Sequence, residues 1–199
     1  GVTRIIDRNQ DGLDTGTDIL TNVETLRFTD ATVDLTQSRA DFTAEIFRFY
    51  NAETGMHFVT ASEAERGALN VDSSTSELEG TGFRAFDNAE TSRTDLVSVH
   101  RLLNVHNGAH LWTSSPEEMS VIAALYPGRY THEGVAFQAH QTPVDGATPI
   151  WRYYNPSNNS HFFTASDVER AVITNMRPDL ILEGIAFYAY EADIGATLL

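Results

Sequence analysis

Arg48-Phe49-Tyr50-Asn51 is followed by His57 in Gly55-Met56-His57-Phe58-Val59-Thr60, and the same polar residues recur twice more along the chain. Arg101, Asn104, His110 and Thr113 form the second copy and Arg152, Asn155, His161 and Thr164 the third, with nine residues from Arg to His in each. Self-similarity at a period of about fifty residues marks a fold built by stacking one supersecondary unit, because a single unit cannot bury its own apolar face. Function is therefore read first per unit and only then per residue.

Each unit opens with a β-branched and aromatic run, Ile46 to Asn51, Val99 to Asn104 or Ile150 to Asn155, of the composition that favours strands. A turn rich in Asn, Gly or Pro follows, and a return strand runs from His57, His110 or His161 to the Thr three residues on. Ser62, Ser115 and Ser166 then each precede a Glu by three residues (Glu65, Glu118, Glu169), the pattern of a reciprocal capping box, and Pro116 occupies a first helical position. These serines are caps rather than nucleophiles, since no base is placed beside them by the local pattern. The unit closes on Glu79-Gly80, Glu133-Gly134 or Glu183-Gly184, where the glycine enters a third strand through positive φ or close backbone approach. Phe83, Phe137 and Phe187 share a face with Ala85, Ala139 and Ala189 and are assigned to the core.

The predicted fold is mainly β with short helices: three β-β-α-β repeats, at about 45–90, 98–142 and 149–191, in a pseudo-threefold closed domain, β-trefoil-like or propeller-like. That domain spans 43–199, and a small β segment with a calcium-loop candidate spans 1–42. Asn88 to Asp95 and Thr142 to Pro149 read as polar linkers, and Ala192 to Leu199 as a tail or part of a secretion signal. Residues 45–191 resemble a repeat family of uncharacterised function that occurs in tandem threes in secreted bacterial and fungal proteins. The resemblance rests on Arg48-Phe49-Tyr50-Asn51, His57 to Arg66 and Glu183 to Tyr190, and it implies an accessory, extracellular module. The middle repeat departs most, with Leu102-Leu103 in place of the aromatic pair and Trp112 in its return strand.

In the opening segment, Asp7, Asn9, Asp11, Thr15 and Asp18 fall at positions 1, 3, 5, 9 and 12 of a twelve-residue loop with Gly12 at position 6. Oxygen ligands at that spacing wrap a hard cation such as calcium, with Asp7, Asn9, Asp11 and Asp18 as the metal ligands. Asp14 stands where an apolar residue is usual and Asp18 replaces the bidentate Glu, so a solvated acidic turn is the competing reading. Gly16 to Leu35 alternates apolar and polar residues as half-buried strands do. Gly16-Thr17-Asp18-Ile19-Leu20 through Val23-Glu24, Leu26, Phe28 and Asp30 resembles the segment that follows the glycine-rich calcium repeats of hemolysin-type (RTX) proteins. That resemblance implies type I secretion and folding on contact with external calcium.

Composition narrows the partners. All thirteen basic residues are Arg, against 28 acidic ones, for a formal charge of -15. Duplex nucleic acid and anionic membranes demand clustered cations and are poor candidates. With no cysteine, disulfides and thiolate metal sites are excluded. No apolar run approaches a membrane span, and Gly1-Val2-Thr3-Arg4 is no signal peptide, so the chain reads as part of a longer parent.

The repeated Arg, Asn, His and Glu allow two readings. In one, Arg48, Arg101 and Arg152 fork to a sugar carboxylate or hydroxyl pair, His57, His110 and His161 bond hydroxyls, and Tyr50, Tyr154 and Trp112 offer ligand-binding faces. In the other, Arg pairs with the Glu of its own unit, Asn ties its own turn and His satisfies a backbone carbonyl. A zinc site requires His57, His110 and His161 to meet on one axis, and no short-range His pair supports that. Trp112, Trp151, Tyr188 and Tyr190 are candidates for either a binding platform or core. The expected function is a non-catalytic glycan-binding or adhesion module of a larger secreted bacterial protein, partnered with an extracellular glycan. The alternatives are a polysaccharide-degrading hydrolase or lyase and a structural spacer.

Overall fold

The computed structural model describes the backbone of residues 2–8, 14–21, 25–27 and 32–34, and backbone with side chains at 44–71, 75–88 and 93–192. The chain divides into two compact bodies, Gly1–Phe42 and Thr43–Leu199. In the first, β1 (Val2–Arg8) pairs antiparallel with β2 (Asp14–Thr21), and β3 (Thr25–Arg27) with β4 (Thr32–Asp34). The twelve-residue loop expected from 7 to 18 is not a loop throughout, because strand pairing continues to Arg8 and resumes at Asp14, with Ile5 opposite Asp18. Asp7 and Asp18 thus lie in strand backbone, and Asn9 and Asp11 lie outside the described residues.

The second body is mainly β with three short helices. Its elements are β5 (Ala44–Asn51), β6 (Met56–Thr60), α1 (Glu63–Val71), β7 (Ser76–Ala85), β8 (Leu96–Asn104), β9 (His110–Thr113), α2 (Pro116–Leu125), β10 (Tyr130–His140), β11 (Thr148–Asn155), β12 (Ser160–Thr164), α3 (Asp167–Met176) and β13 (Ile181–Ala189). Strands run β6-β5-β7 in one sheet and β12-β11-β13-β10-β8-β9 in another, which curls as a half-barrel. Single bridges from Arg84 to Tyr190 and from Phe86 to Gln138 tie the end of β7 to the partners of the larger sheet.

Why these residues form these elements follows from local chemistry. Asn51 Oδ1 accepts from the backbone N–H of Glu53 and Thr54, Asn104 Oδ1 from His106, and Asn155 Oδ1 from Ser157, so each hairpin turn is closed by its own Asn. Gly80, Gly134 and Gly184 have φ of +108°, +105° and +117°. A Cβ at any of the three would meet nothing within 4 Å, so backbone angle, not crowding, selects glycine there. The ladder shifts register beside each of these glycines, opposite Arg48, Arg101 and Arg152.

The core gathers where the three closing strands meet. Phe83, Phe137 and Phe187 contact one another with ring centroids 5.6 to 5.8 Å apart, in the tilted and edge-to-face geometries that aromatic quadrupoles favour. Ala85, Ala139, Ala189, Ile46, Val99 and Ile150 complete that layer with no solvent exposure. A satellite cluster of Tyr153, Phe162 and Ile173, with Trp151 and Leu180 against it, packs under α3.

Candidate functional site

The polar residues of the repeated stretch converge on the seams between units. Arg48 Nε donates to Glu79 at 2.7 Å, Arg101 Nε to Glu133 at 2.7 Å, and Arg152 Nε reaches Glu183 at 2.7 Å, so each Arg pairs with the Glu of its own closing strand. The two terminal nitrogens go elsewhere. Arg101 donates both to Glu65 of α1 at 2.9 Å, Arg152 to Glu118 of α2 at 2.8 Å, and Arg48 to Glu169 of α3 at 2.9 Å. The forked bonds therefore run from the first unit's helix to the second unit, from the second to the third, and from the third back to the first.

The helix caps explain how those glutamates become free to cross a seam. Ser62, Ser115 and Ser166 each accept from the N–H of Glu65, Glu118 or Glu169, as a cap must. The reciprocal half of the box is absent. The Ser N–H donates instead to the hydroxyl of Thr60, Thr113 or Thr164 at 2.9 to 3.0 Å. The cap is satisfied by Thr, and the Glu carboxylate is left to receive the next unit's guanidinium; in the first unit Thr60 also donates its hydroxyl to Glu65. The within-unit Arg–Glu pairs and Asn-tied turns are legible in the sequence, whereas the second role of the cap glutamates is not.

His57, His110 and His161 place Nε2 at 3.5, 3.3 and 3.5 Å from Glu79, Glu133 and Glu183. Each sits beside a different carboxylate, and the three-His zinc arrangement does not form. Among the described residues no group of three or more His, Asp or Glu side chains is gathered to hold a metal. His57 also packs edge-on against Phe162, and His110 against Phe58, so the rings lie on the seams with their neighbours' aromatics.

Electrostatics follow from burial and pairing. Burial opposes the charge on all three guanidiniums, but their carboxylates outweigh it and raise each above the ordinary Arg value. Burial likewise pushes Glu65 and Glu118 up, and the bonds from Arg101 and Thr60, or from Arg152 and Thr113, hold them below the usual carboxylate range. Glu79 is also held down, with His57 and Arg48 overcoming burial, whereas burial prevails at Glu183, which is raised. His57 contributes at Glu79, whereas at Glu183 the charge of Glu118 adds to burial; His161 is pushed down to about 4 by its burial and its proximity to Arg152. His110 is lowered too, by burial foremost.

Of the expected ligand faces, Trp112 is overturned. It is 1% exposed and packs in the core against Phe58, His110 and Phe163, because the return strand of the middle unit turns that ring inward. Tyr50 and Tyr154 are partly buried beside His57 and His161, with the Tyr154 hydroxyl donating to Asn159. Tyr190 bonds His140, and Trp151 carries the Arg170 guanidinium 4.0 Å from its ring centroid. In the middle unit His100 Nδ1 and His132 Nε2 lie 3.0 Å apart, while His140 is buried elsewhere.

Each seam carries a cleft. One of about 150 Å³ is lined by Thr60, Ser62, Glu65, Arg101 and Glu133. A second, of about 300 Å³, has Thr113, Ser115, Glu118, Arg152 and Glu183, and a third, of about 230 Å³, has Arg48, Glu79, Thr164, Ser166 and Glu169. A larger cavity of about 500 Å³ opens between the first and second units.

These features define a mainly β domain whose consecutive segments are tied by forked ion pairs at clefts of matching chemistry. The chain belongs to the family described as a domain of unknown function, DUF5648, whose model matches residues 45–190. No curated protein and no solved structure matches the chain. Among the described residues no helix is long and apolar enough to cross a membrane.

Proposed function

We propose that residues 44–192 are a non-catalytic glycan-binding or adhesion module of a larger secreted protein, closed about a pseudo-threefold axis. The observation that carries the reading is the recurrence of one polar lining, an Arg between two Glu with Thr and Ser hydroxyls beside it, in all three seam clefts. Their volumes suit a single sugar ring better than a drug-sized ligand. Three such weak sites favour avidity on a repeated polymer. The mutual contact of Phe83, Phe137 and Phe187 and the head-to-tail order of the forked bonds support the pseudo-threefold closure.

The lining also revises what the sugar is. Every Arg fork is occupied by carboxylates of the protein itself, so the clefts offer acceptors and select neutral polyols over uronic acids. The secreted setting rests on the RTX resemblance of the stretch from Gly16, and the calcium dependence of residues 7–18 on the oxygen spacing of that loop. A glycan array of the intact chain tests the module, repeated with the cleft residues Glu79, Glu133 and Glu183 changed to Gln. Binding to neutral glycans that weakens with each substitution is expected; binding to no glycan, with or without calcium, sinks it.

Polysaccharide cleavage is the second reading, for which Glu183 and Glu118 on either side of Arg152 are the paired carboxylates. Release of reducing ends that disappears in E183Q marks that outcome. A spacer that only holds its neighbours is what remains if neither binding nor cleavage is found.

A further inference from the structure

We infer that the 500 Å³ cavity between the first and second units is a binding site for a small amphipathic amine, an apolar body carrying a cationic head. This goes beyond the glycan reading and does not depend on it. In the third unit Tyr153, Phe162, Ile173 and Leu180 pack into the satellite cluster under α3. Counting from the repeated Arg, His, cap Ser and closing Glu, their counterparts in the first unit are Phe49, Phe58, Leu69 and Ser76. All four line the cavity.

Phe162 and Phe58 are the same residue type, and Tyr153 to Phe49 and Ile173 to Leu69 conserve bulk or nearly so. The fourth replaces Leu180 by Ser76, and the second unit has Tyr130 there, so only the first unit carries a small polar residue at that position. Where the third unit fills its satellite core with its own side chains, the first leaves room with apolar walls. A concave, mostly apolar space with a few convergent polar groups is the general form of a small-molecule site.

The polar end sets the ligand's charge. Arg101 is spent on Glu65 and Glu133, and His110 stands beside Glu133. One guanidinium against two carboxylates leaves the floor with a net negative charge, and Glu133 keeps one oxygen that Arg101 does not take. An anionic head meets repulsion there, and an ammonium meets attraction that a partly buried site screens weakly.

The test is calorimetric titration of the intact chain with 2-phenylethylamine and, as charge-reversed control, phenylacetate. Saturable amine binding at low-millimolar concentration or tighter is expected, at least roughly tenfold tighter than the acid. S76L, which restores the third unit's packing, should abolish the titration while raising the thermal midpoint, the latter proving that the fold is intact. E133Q should narrow the preference for amine over acid. Equal affinity for both probes, no saturable binding, or unchanged binding in a folded S76L overturns the proposal. Since neither probe contains a sugar, a failed glycan array leaves this result standing, and the reverse.

Discussion

Arg48 and Glu169, 121 residues apart, share two parallel N–H···O bonds of 2.9 Å that join the first strand of the domain to its last helix. The Arg side chain is 14% exposed, so the pair works in a medium of lowered dielectric.

Removing one partner strands the other. E169L is expected to cost about 3 kcal/mol, because Arg48 keeps Glu79 and a long bond to the Phe163 carbonyl while the fork stays desolvated. R48M combined with E169L should recover most of that loss. Urea unfolding of the two singles and the double completes the cycle, and a coupling near zero would show that the bond does not stabilise the domain.

Acid should destabilise the domain in two steps. His161 is neutral in the fold, with its pKa depressed from 6.5 to about 4. Between those values the unfolded chain binds the extra proton, so stability is full above pH 6.5 and falls by about 3 kcal/mol on approaching pH 4. The depressed Glu65, Glu79 and Glu118 then lose their share as pH drops from 4.5 through their lower folded values. H161Q should shrink the first step of a pH series of unfolding free energies, to which the lowered His100, His110 and His140 also contribute, and leave the second.

Gly134 has room for a methyl group but a φ of +105°. G134A is expected to cost about 2 kcal/mol through backbone strain alone, and G67A, within α1 at a site with nothing in 4 Å, to be neutral or stabilising by up to about 1 kcal/mol. Thermal midpoints of the two variants separate conformation from crowding.

Calcium binding by the N-terminal body predicts a higher melting midpoint with the ion than with chelator, lost in D7N and D11N. An unchanged midpoint in the parent chain removes the metal from this account.

The hairpins, capped helices and closing strands were readable because each depends on neighbours within a few residues: an Asn that bonds its own turn, a Ser that bonds the N–H three places on, a Gly whose φ the ladder requires. The core face of Phe83, Phe137 and Phe187 was readable too, since strand alternation is local. Trp112 was not, because whether a strand ring faces ligand or core depends on which sheet covers it. Nor was the second bond of Glu65, Glu118 and Glu169, as a carboxylate at that helix position serves its own cap unless a Thr hydroxyl relieves it. Local sequence thus determined the repeating joint and offered the Arg–Glu pair inside it as one of two readings. Only the tertiary structure decided that the Arg forks pass from one unit to the next and return to the first, and that Ser76 leaves open the space Leu180 helps to fill. Such contacts join residues dozens to more than a hundred positions apart, and no periodicity along one chain encodes which of several equivalent carboxylates a guanidinium will meet.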